Sequence, residues 1–230
     1  MTMEVFIIRH AQPEWVKNGL NVVNPPLTEL GHQQAKALAE SLRNEHFDEI
    51  FVSPLLRAKQ TAEPVLEVLS REMVIADWLE EIRDPMWHGT PEERAQEAWK
   101  AEKQKKSHDR WLGLEGGENV MDFVTRINLG TSDFLRAHGL ERTDNSLPVW
   151  TESPTYQHGK RIALICHAGT GSVALCHMLG LQPTPWEWER FVIGHATINV
   201  ISALRLGDGI TFGLKTLSGN DHLPSPLRTY

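Results

Sequence analysis

The amino-acid sequence predicts an α/β fold: a three-layer α/β/α sandwich with a mostly parallel central sheet and a helical cap inserted into it. Short apolar segments alternate with amphipathic ones from residue 5 to residue 76, which is the pattern of parallel strands joined by right-handed crossover helices. A mostly helical stretch over about 80–158 interrupts this pattern, and an apolar strand at 161–166 resumes it. We therefore expect one domain over residues 1–230, with the cap insertion at about 80–158.

The first predicted strand ends at two polar side chains. Residues 5–8 are apolar and rich in β-branched side chains, so they predict a buried strand. Arg9 and His10 follow at once, and Pro13 prevents the strand from continuing inside a sheet. Ligands bind where strands end in open α/β sheets. On this stretch alone, a strand-end histidine beside a surface arginine is an equally good interpretation.

Two helices and two strands are predicted next. Thr28 is placed to cap the first helix, whose apolar stripe runs to residue 42. Residues 50–52 form a strand, and the helix from about Leu55 contains Pro64, which should bend it or tighten a turn. Residues 73–76 form a third short strand.

The insertion contains two predicted helices. The segment Thr90-Pro91-Glu92-Glu93 combines a capping threonine with proline at the first helical position, and it predicts a helix to about residue 106. The loop 116–119 precedes a second helix, with an inner stripe of Val120, Val124 and Ile127. Residues 141–159 are polar and contain proline, which predicts a long loop or flap.

The last third of the chain returns to sheet. After the strand at 161–166, a helix is predicted to residue 179 and closed by Gly180 in a left-handed conformation. Residues 197–206 and 210–217 favour strands, and the Gly207-Asp208-Gly209 segment between them predicts a β-hairpin.

The composition excludes some classes of function. The 230 residues carry 23 Lys and Arg against 30 Asp and Glu, which argues against an extended nucleic-acid surface but not against a local cationic pocket. Cys166 and Cys176 have no metal-binding or redox spacing, so we expect reduced core residues. We see no signal peptide or long apolar run, and we expect a soluble, cytoplasmic protein without membrane or nucleic-acid partners. A homodimer stays open.

Two histidines and two arginines are predicted to meet at one edge of the sheet. His10 and His167 each follow a buried strand, and parallel strands open on the same edge. Arg57, one turn into the second helix, lies toward that edge, as does Arg9. Arginine binds phosphate oxygens bidentately and keeps its charge. Because the sequence has no Walker-type loop or Asp cluster for magnesium, these residues predict a dianion site without metal or cofactor.

Five short motifs follow one another along the chain. They are Arg9-His10-Ala11, Leu27-Thr28 with Gly31 and Gln34-Ala35, Ser53-Pro54-Leu55-Leu56-Arg57-Ala58 with Gln60-Thr61-Ala62, Gly116-Gly117-Glu118, and His167-Ala168-Gly169. Each is weak alone, but together and in this order they resemble the histidine phosphatase superfamily, with its phosphoglycerate mutase-like fold. The resemblance spans about residues 5–206.

The resemblance implies catalytic and binding residues. His10 would be the nucleophile and carry a phosphohistidine. Arg9, Arg57 and His167, with Ala168 beside it, would hold the phosphoryl oxygens. The chemistry agrees, because an imidazole nucleophile divides one hard hydrolysis into two easier steps. Arginines placed in advance suit the charge that develops on the equatorial oxygens.

A leaving alkoxide also needs a proton from an acid. In the family this acid follows the third strand, eight residues before a glycine. Glu81 has Gly89 at that offset, so we expect Glu81 to be the acid, with Glu80 as the fallback. His88 and His195 could also reach the pocket, whereas the other histidines outside the motifs are interpreted as structural or surface residues.

The predicted function is that of a metal-independent phosphomonoester phosphatase, a histidine acid-type enzyme that acts on a small phosphorylated metabolite. One alternative is a phosphoglycerate-type phosphomutase, although its paired arginines have no counterpart between residues 89 and 116. Another is a catalytically weak protein that binds a phosphorylated ligand. The second alternative rests on three departures from the family pattern: Ala11, Pro13 and Val16.

Tryptophan is concentrated in and beside the insertion. Five of the eight tryptophans lie there: Trp78, Trp87, Trp99, Trp111 and Trp150. We expect them to pack the cap onto the sheet. The alternative is an aromatic wall for an apolar or ring-bearing leaving group.

Overall fold

The structure, a computed structural model, describes residues 2–142 and 147–230. The strands within these residues are β1 (Glu4–Arg9), β2 (Val16–Lys17), β3 (Leu20–Asn21), β4 (Glu49–Val52), β5 (Val74–Ile75), β6 (Leu140–Glu141), β7 (Thr151–Glu152), β8 (Arg161–Cys166), β9 (Ile198–Leu206) and β10 (Gly209–Gly219). The α-helices are α1 (Glu29–Ser41), α2 (Leu56–Leu69), α3 (Glu92–Gln104), α4 (Val120–Ala137) and α5 (Ala168–Met178).

Six strands form the central sheet in the order β10-β9-β1-β8-β4-β5. Strands β1, β8, β4 and β5 run parallel, and the hairpin β9–β10 adds an antiparallel edge next to β1. The predicted α/β/α sandwich with a mostly parallel sheet is confirmed, as are the strand at 161–166 and the terminal hairpin.

The alternation of side chains along β1 separates two hydrophobic cores. Val5 and Ile7 face a core that α4 and α5 cover, whereas Phe6 and Ile8 face the core under α1 and α2. Successive strand residues point to opposite faces, and a strand buried on both faces is therefore apolar throughout. This is why residues 5–8 form an unbroken apolar run.

Side-chain caps set two of the helix starts. Thr28 accepts a hydrogen bond from the Gly31 amide (2.9 Å), and Asn119 accepts one from the Met121 amide (2.8 Å), so both helices begin where the sequence predicts. Helix α2 continues through Pro64 to Leu69.

The predicted cap at Thr90 is wrong. Helix α3 begins at Glu92 without a side-chain cap and ends at Gln104, short of residue 106. The Thr90 hydroxyl instead donates to the Trp87 carbonyl at 2.6 Å. Pro91 is itself extended (φ −54°, ψ 143°), so the helix begins one residue later than predicted; Thr90 lies outside it, and its hydroxyl closes the preceding turn.

The inserted region is attached to the sheet at several points. Helix α4 packs beside α5 on one face of the sheet. Within 141–159, predicted as a loop, β7 pairs with β6 and Trp150 bridges to Ile210; residues 143–146 lie outside the described residues. A single domain with a cap at about 80–158 stays a proposal.

Two further sequence expectations concern burial and hydropathy. Cys166 and Cys176 are both buried and form no disulfide, as expected for core residues. None of the helices within 2–142 and 147–230 is long and apolar enough to cross a membrane.

Helix α4 offers a test of the packing because it carries two leucines in opposite environments. Leu135 is fully buried, whereas Leu129 is 62% exposed. We expect Leu135→Ala to lower the free energy of unfolding by about 2–5 kcal/mol, because it leaves a cavity in the core. The matched control Leu129→Ala should stay within about 0.5 kcal/mol of the parent. Urea denaturation measures both, and equal losses would contradict the packing of α4.

Candidate active site

His10 and His167 face each other where β1 and β8 end. Residues Arg9 and Cys166 are paired in the parallel register, so each histidine is the next residue of a neighbouring strand. The His10 amide donates to the Cys166 carbonyl at 2.9 Å, and the two ring centroids are 5.0 Å apart. Both side chains are buried. The structure therefore brings together the two histidines that the sequence places at one sheet edge.

The hydrogen bonds of His10 fix which ring nitrogen can react. Nδ1 lies 2.7 Å from the Ala11 carbonyl oxygen, which can only accept, so Nδ1 carries the proton. The lone pair is then on Nε2, where the Arg57 Nε donates at 3.2 Å. Burial first, and then the nearby charge of Arg57, hold the pKa of His10 well below its usual value. The ring is therefore neutral and available as a nucleophile at neutral pH.

Arg9 and Arg57 supply positive charge in a nearly dry environment. Arg57 is 4% exposed, and its guanidinium lies 4.8 Å from the centroid of the Trp15 ring. Arg9 donates to the Ile193 carbonyl at 2.6 Å and to His195 Nε2 at 2.9 Å. Burial lowers the pKa of each arginine to about 10, so both remain charged at neutral pH.

Two buried nitrogens of the site have no hydrogen-bond partner within the described residues: Arg9 Nε and His167 Nδ1. The other ring nitrogen of His167 lies 2.7 Å from the Ser53 hydroxyl. If that hydroxyl donates, the proton of neutral His167 is on Nδ1 and can be given to an anion. Unsatisfied buried polar groups are costly and call for an explanation, and an oxyanion between Arg9 and His167 would provide it.

His195, which the sequence left as an open candidate for the pocket, contacts Arg9. Its Nε2 accepts from Arg9, its Nδ1 lies 2.9 Å from the Thr229 hydroxyl, and its ring centroid is 5.8 Å from that of His10. His88, the other open candidate, is exposed and accepts from the Val23 amide at 3.3 Å. His195 therefore lies next to Arg9 and His10 of the site, whereas His88 lies at the protein surface.

The carboxyl group of Glu81 is bound at the N-terminus of α5. Its two oxygens accept hydrogen bonds from the amides of Gly169 (2.9 Å), Thr170 (3.1 Å) and Ile82 (3.0 Å). Burial raises the pKa of Glu81, although these amides and the two arginines oppose the shift. A Cβ at position 169 would collide with Glu81 Oε1, so this approach needs glycine there.

Glu80 points elsewhere, as adjacent residues must in an extended segment. Its Oε2 accepts from Arg83 Nε at 3.0 Å and from Arg83 Nη2 at 2.7 Å. Asp84, which the sequence analysis missed, does reach the site. Burial and the neighbouring Glu81 raise the pKa of Asp84 to about 6. No motif singles it out, because only the folded loop brings it toward Arg57.

The residues that depart from the family pattern are accommodated. Ala11 does not have a positive φ angle, and neither does Ala168 beside His167, so the alanine side chain causes no backbone strain at either position. The Ala11 amide donates to the Thr61 hydroxyl at 2.9 Å. Val16 turns its apolar side chain to the cavity beside the site, and Pro13 bridges to Leu27.

A cavity of about 700 Å³ opens next to Arg57 and Glu81. The sequence offered two roles for the tryptophans, packing of the cap and an aromatic wall, and each role applies to some of them. Trp87 and Trp99 line the cavity, together with Trp15. Trp78 packs against Phe134, Trp150 packs against Phe212, and Trp111 lies against the core.

We also searched the part of the chain that the structure describes for clusters of metal-binding side chains. Within it, no group of three or more His, Cys, Asp and Glu side chains is placed to hold a metal ion. Independence from metal stays a prediction.

Comparison with known proteins points to one family. A sequence model of the histidine phosphatase superfamily (branch 1) matches residues 5–207. The chain is 32% identical to phosphoserine phosphatase 1 of Hydrogenobacter thermophilus over 59% of its own length and 66% of the relative, just short of two thirds. It is 30% identical to a probable phosphoglycerate mutase of Photorhabdus laumondii, over 73% and 74% of the two chains.

The fold agrees with a solved structure. The complex of a mycobacterial glucosyl-3-phosphoglycerate phosphatase with inorganic phosphate superposes with a TM-score of 0.66 at 21% identity, over 96% of this chain and 99% of that one. At this identity the likeness shows the fold alone.

The buried histidines make stability depend on pH, and His195 allows a test. Burial first, and then Arg9 and Arg57, lower its pKa from 6.5 to about 3. Between these values the unfolded chain binds a proton that the folded chain does not. This residue therefore contributes stability that is complete above pH 6.5 and lost as the pH falls toward 3.

Urea denaturation at about pH 4.5 and pH 7.5 measures this effect. We expect the parent to lose more unfolding free energy at the lower pH than His195→Asn does, by an amount of order 2 kcal/mol. The control is His46→Asn, at an exposed position. It should lose as much as the parent. An equal loss in the parent and His195→Asn would mean that His195 is not held neutral by the fold.

Proposed function

The chain belongs to the histidine phosphatase superfamily, and we propose that it hydrolyses phosphomonoesters through a phosphohistidine formed on Nε2 of His10. Several of its relatives are named as phosphatases, which supports a phosphatase activity, and its substrate is a small phosphorylated molecule. One observation supports the proposed site above the others: a neutral, buried imidazole presents its lone pair to the buried guanidinium of Arg57.

The first half-reaction transfers the phosphoryl group to His10. As the N–P bond forms, the bond from phosphorus to the leaving oxygen breaks. Arg57 now donates to the His10 lone pair, and an arriving phosphoryl group would take over this donor. Arg9 Nε and His167 Nδ1 have no partners in the unliganded site, so they are ready to hold phosphoryl oxygens as charge develops there.

Glu81 moves the proton. Because burial raises its pKa, the acid keeps its proton to a higher pH than a free glutamic acid. That proton goes to the leaving oxygen in the first step. In the second, the carboxylate takes a proton from water, whose oxygen attacks phosphorus, and His10 and inorganic phosphate are released. The three amides around Glu81 stabilise the carboxylate between the two steps.

A phosphomutase is the second candidate, because one relative is named a probable phosphoglycerate mutase. A mutase must hold its product while it turns and must bind a second acidic group. The cations lining the described cavity are Arg57, which faces His10, and Arg83, which is paired with Glu80. Arg57 is engaged at the nucleophile and Arg83 already has a carboxylate partner, so the described cavity holds no cation set aside for a second acidic group, which favours hydrolysis.

We also propose that the enzyme works in the cytoplasm, since its buried cysteines are unpaired, as in a reducing compartment. A homodimer is retained as a prediction from the sequence.

The nucleophile can be tested directly. We expect His10→Ala to lose all measurable turnover of a phosphomonoester, because His10 is the described side chain whose lone pair accepts from Arg57, whereas the lone pair of His195 is taken by Arg9. Rapid base quench of the parent with ³²P-labelled substrate should trap an acid-labile phosphoenzyme that His10→Ala cannot form. The control His108→Ala, at an exposed position, should form it normally.

The fate of the trapped intermediate separates the two candidates. Release of inorganic phosphate supports the phosphatase, whereas transfer to an isomeric ester supports the mutase. Turnover that survives in folded His10→Ala would refute the mechanism.

The acid is tested with two neighbouring glutamates that differ in contacts. Glu81→Gln should lose about 10²–10⁴ in rate on alkyl phosphates, which is the usual contribution of a general acid. It should lose far less in the phosphorylation step with a nitrophenyl ester, whose phenolate leaves without a proton. Glu80→Gln should be near neutral with both esters, because Glu80 is engaged by Arg83. The reverse ranking of the two variants would move the acid to Glu80.

A further inference from the structure

Large apolar side chains are exposed around the cavity next to Arg57. Trp15 is 44% exposed, Val23 37% and Met86 81%, and all three line this one cavity. Scattered exposed apolar residues are normal, but a contiguous group marks a binding surface. Val16, which is 37% exposed, lines the same cavity.

The cavity also has an unusual charge for a phosphate-ester site. Its arginines are Arg57, at the nucleophile, and Arg83, whose Nε and Nη2 both donate to Glu80 Oε2. Asp84 and Glu92 line the same space, and neither carboxyl group forms a salt bridge within the described residues. Beyond the phosphoryl position the lining is therefore mostly apolar, with three uncharged amides (Asn21, Asn24 and Gln96) and more carboxyl groups than arginines.

We propose, on the basis of the phosphatase function above, that the substrate is the phosphate monoester of an apolar, ring-sized alcohol without a second acidic group, and that Asp84 is a specificity-determining residue against such a group. A second carboxylate or phosphate on the substrate would lose its hydration on entering this cavity. The arginines in the described lining already have partners there, Arg57 with His10 and Arg83 with Glu80. The second acidic group would also lie near Asp84, so both desolvation and repulsion oppose it. Phosphoserine and phosphoglycerate, after which relatives are named, each carry a carboxylate.

The apolar wall accounts for the preference for a ring. Trp99 and Trp87 come from the inserted region, Trp15 lies opposite beside Arg57, and Met86 lies at the exposed rim. Flat side chains of this kind bury a ring with favourable edge and face contacts. A short alkyl group would leave much of the 700 Å³ filled with water.

Three synthetic esters with leaving alcohols of similar acidity test the proposal at pH 8: benzyl phosphate, 4-carboxybenzyl phosphate and propyl phosphate. At this pH Asp84 is ionised, since its pKa is about 6. We expect kcat/KM for benzyl phosphate to exceed that for each of the other two by about tenfold or more.

Two variants assign this preference to residues. Asp84→Asn should reduce the ratio of benzyl to 4-carboxybenzyl kcat/KM by about tenfold, because it removes the repelling charge. Met86→Ala should reduce the ratio of benzyl to propyl by severalfold. Because Met86 is 81% exposed, its truncation does not threaten the core. Ratios are compared so that a general loss of activity does not count.

The possible failures are distinct. If the parent hydrolyses neither these esters nor a nitrophenyl phosphate, the phosphatase function itself fails; if it hydrolyses the nitrophenyl ester but not benzyl phosphate, only the proposed substrate class is wrong. If it hydrolyses the three esters but takes 4-carboxybenzyl phosphate as well as benzyl phosphate, the proposed substrate class is wrong. If it discriminates and Asp84→Asn leaves the ratio unchanged, Asp84 is not the determinant.

Discussion

The parallel pairing of β1 with β8 is the constraint on which the site depends. Its register sets Arg9 beside Cys166, and the next residue of each strand is a histidine. A shift of one residue would turn either histidine to the opposite face of the sheet. The pairing is itself secured by the two cores, because β1 is apolar on both faces and each face is covered by helices. The chemistry is thus positioned by packing.

This position carries an energetic cost. Arg57 and three histidines are buried beside the half-buried Arg9, with Glu81 and Asp84 as the neighbouring carboxyl groups, and burial disfavours the charged form of each arginine and histidine. The protein meets the cost partly by keeping the histidines neutral and partly through single hydrogen bonds, such as those of Arg9 to Ile193 and His195. The unpartnered nitrogens left over are the ones that an oxyanion would satisfy. The same unpartnered nitrogens therefore lower the stability of the protein without a ligand and provide hydrogen bonds for a bound oxyanion.

Much of the fold could be predicted because its determinants are local. Strand β1 is recognisable from four consecutive apolar residues, and α1 and α4 from a capping side chain followed by an apolar stripe. The cap at Thr90 failed because the same residue type has two uses. A threonine can cap the helix that follows or close the turn that precedes it. Here Pro91 is extended and the helix begins at Glu92, so the Thr90 hydroxyl bonds back to Trp87. The sequence motif does not distinguish these two uses of a threonine.

The sequence by itself determined the order of the strands and helices, the two strand-end histidines and the arginines that accompany them, since each follows from a pattern within a few residues. Only the tertiary structure decided which glutamate faces the amides of α5, that His195 rather than His88 reaches Arg9, and that Asp84 and Met86 border the same cavity as Trp15. The reason is physical. These contacts join residues far apart in the chain, and burial and electrostatic interaction depend on distances in space that local spacing does not specify.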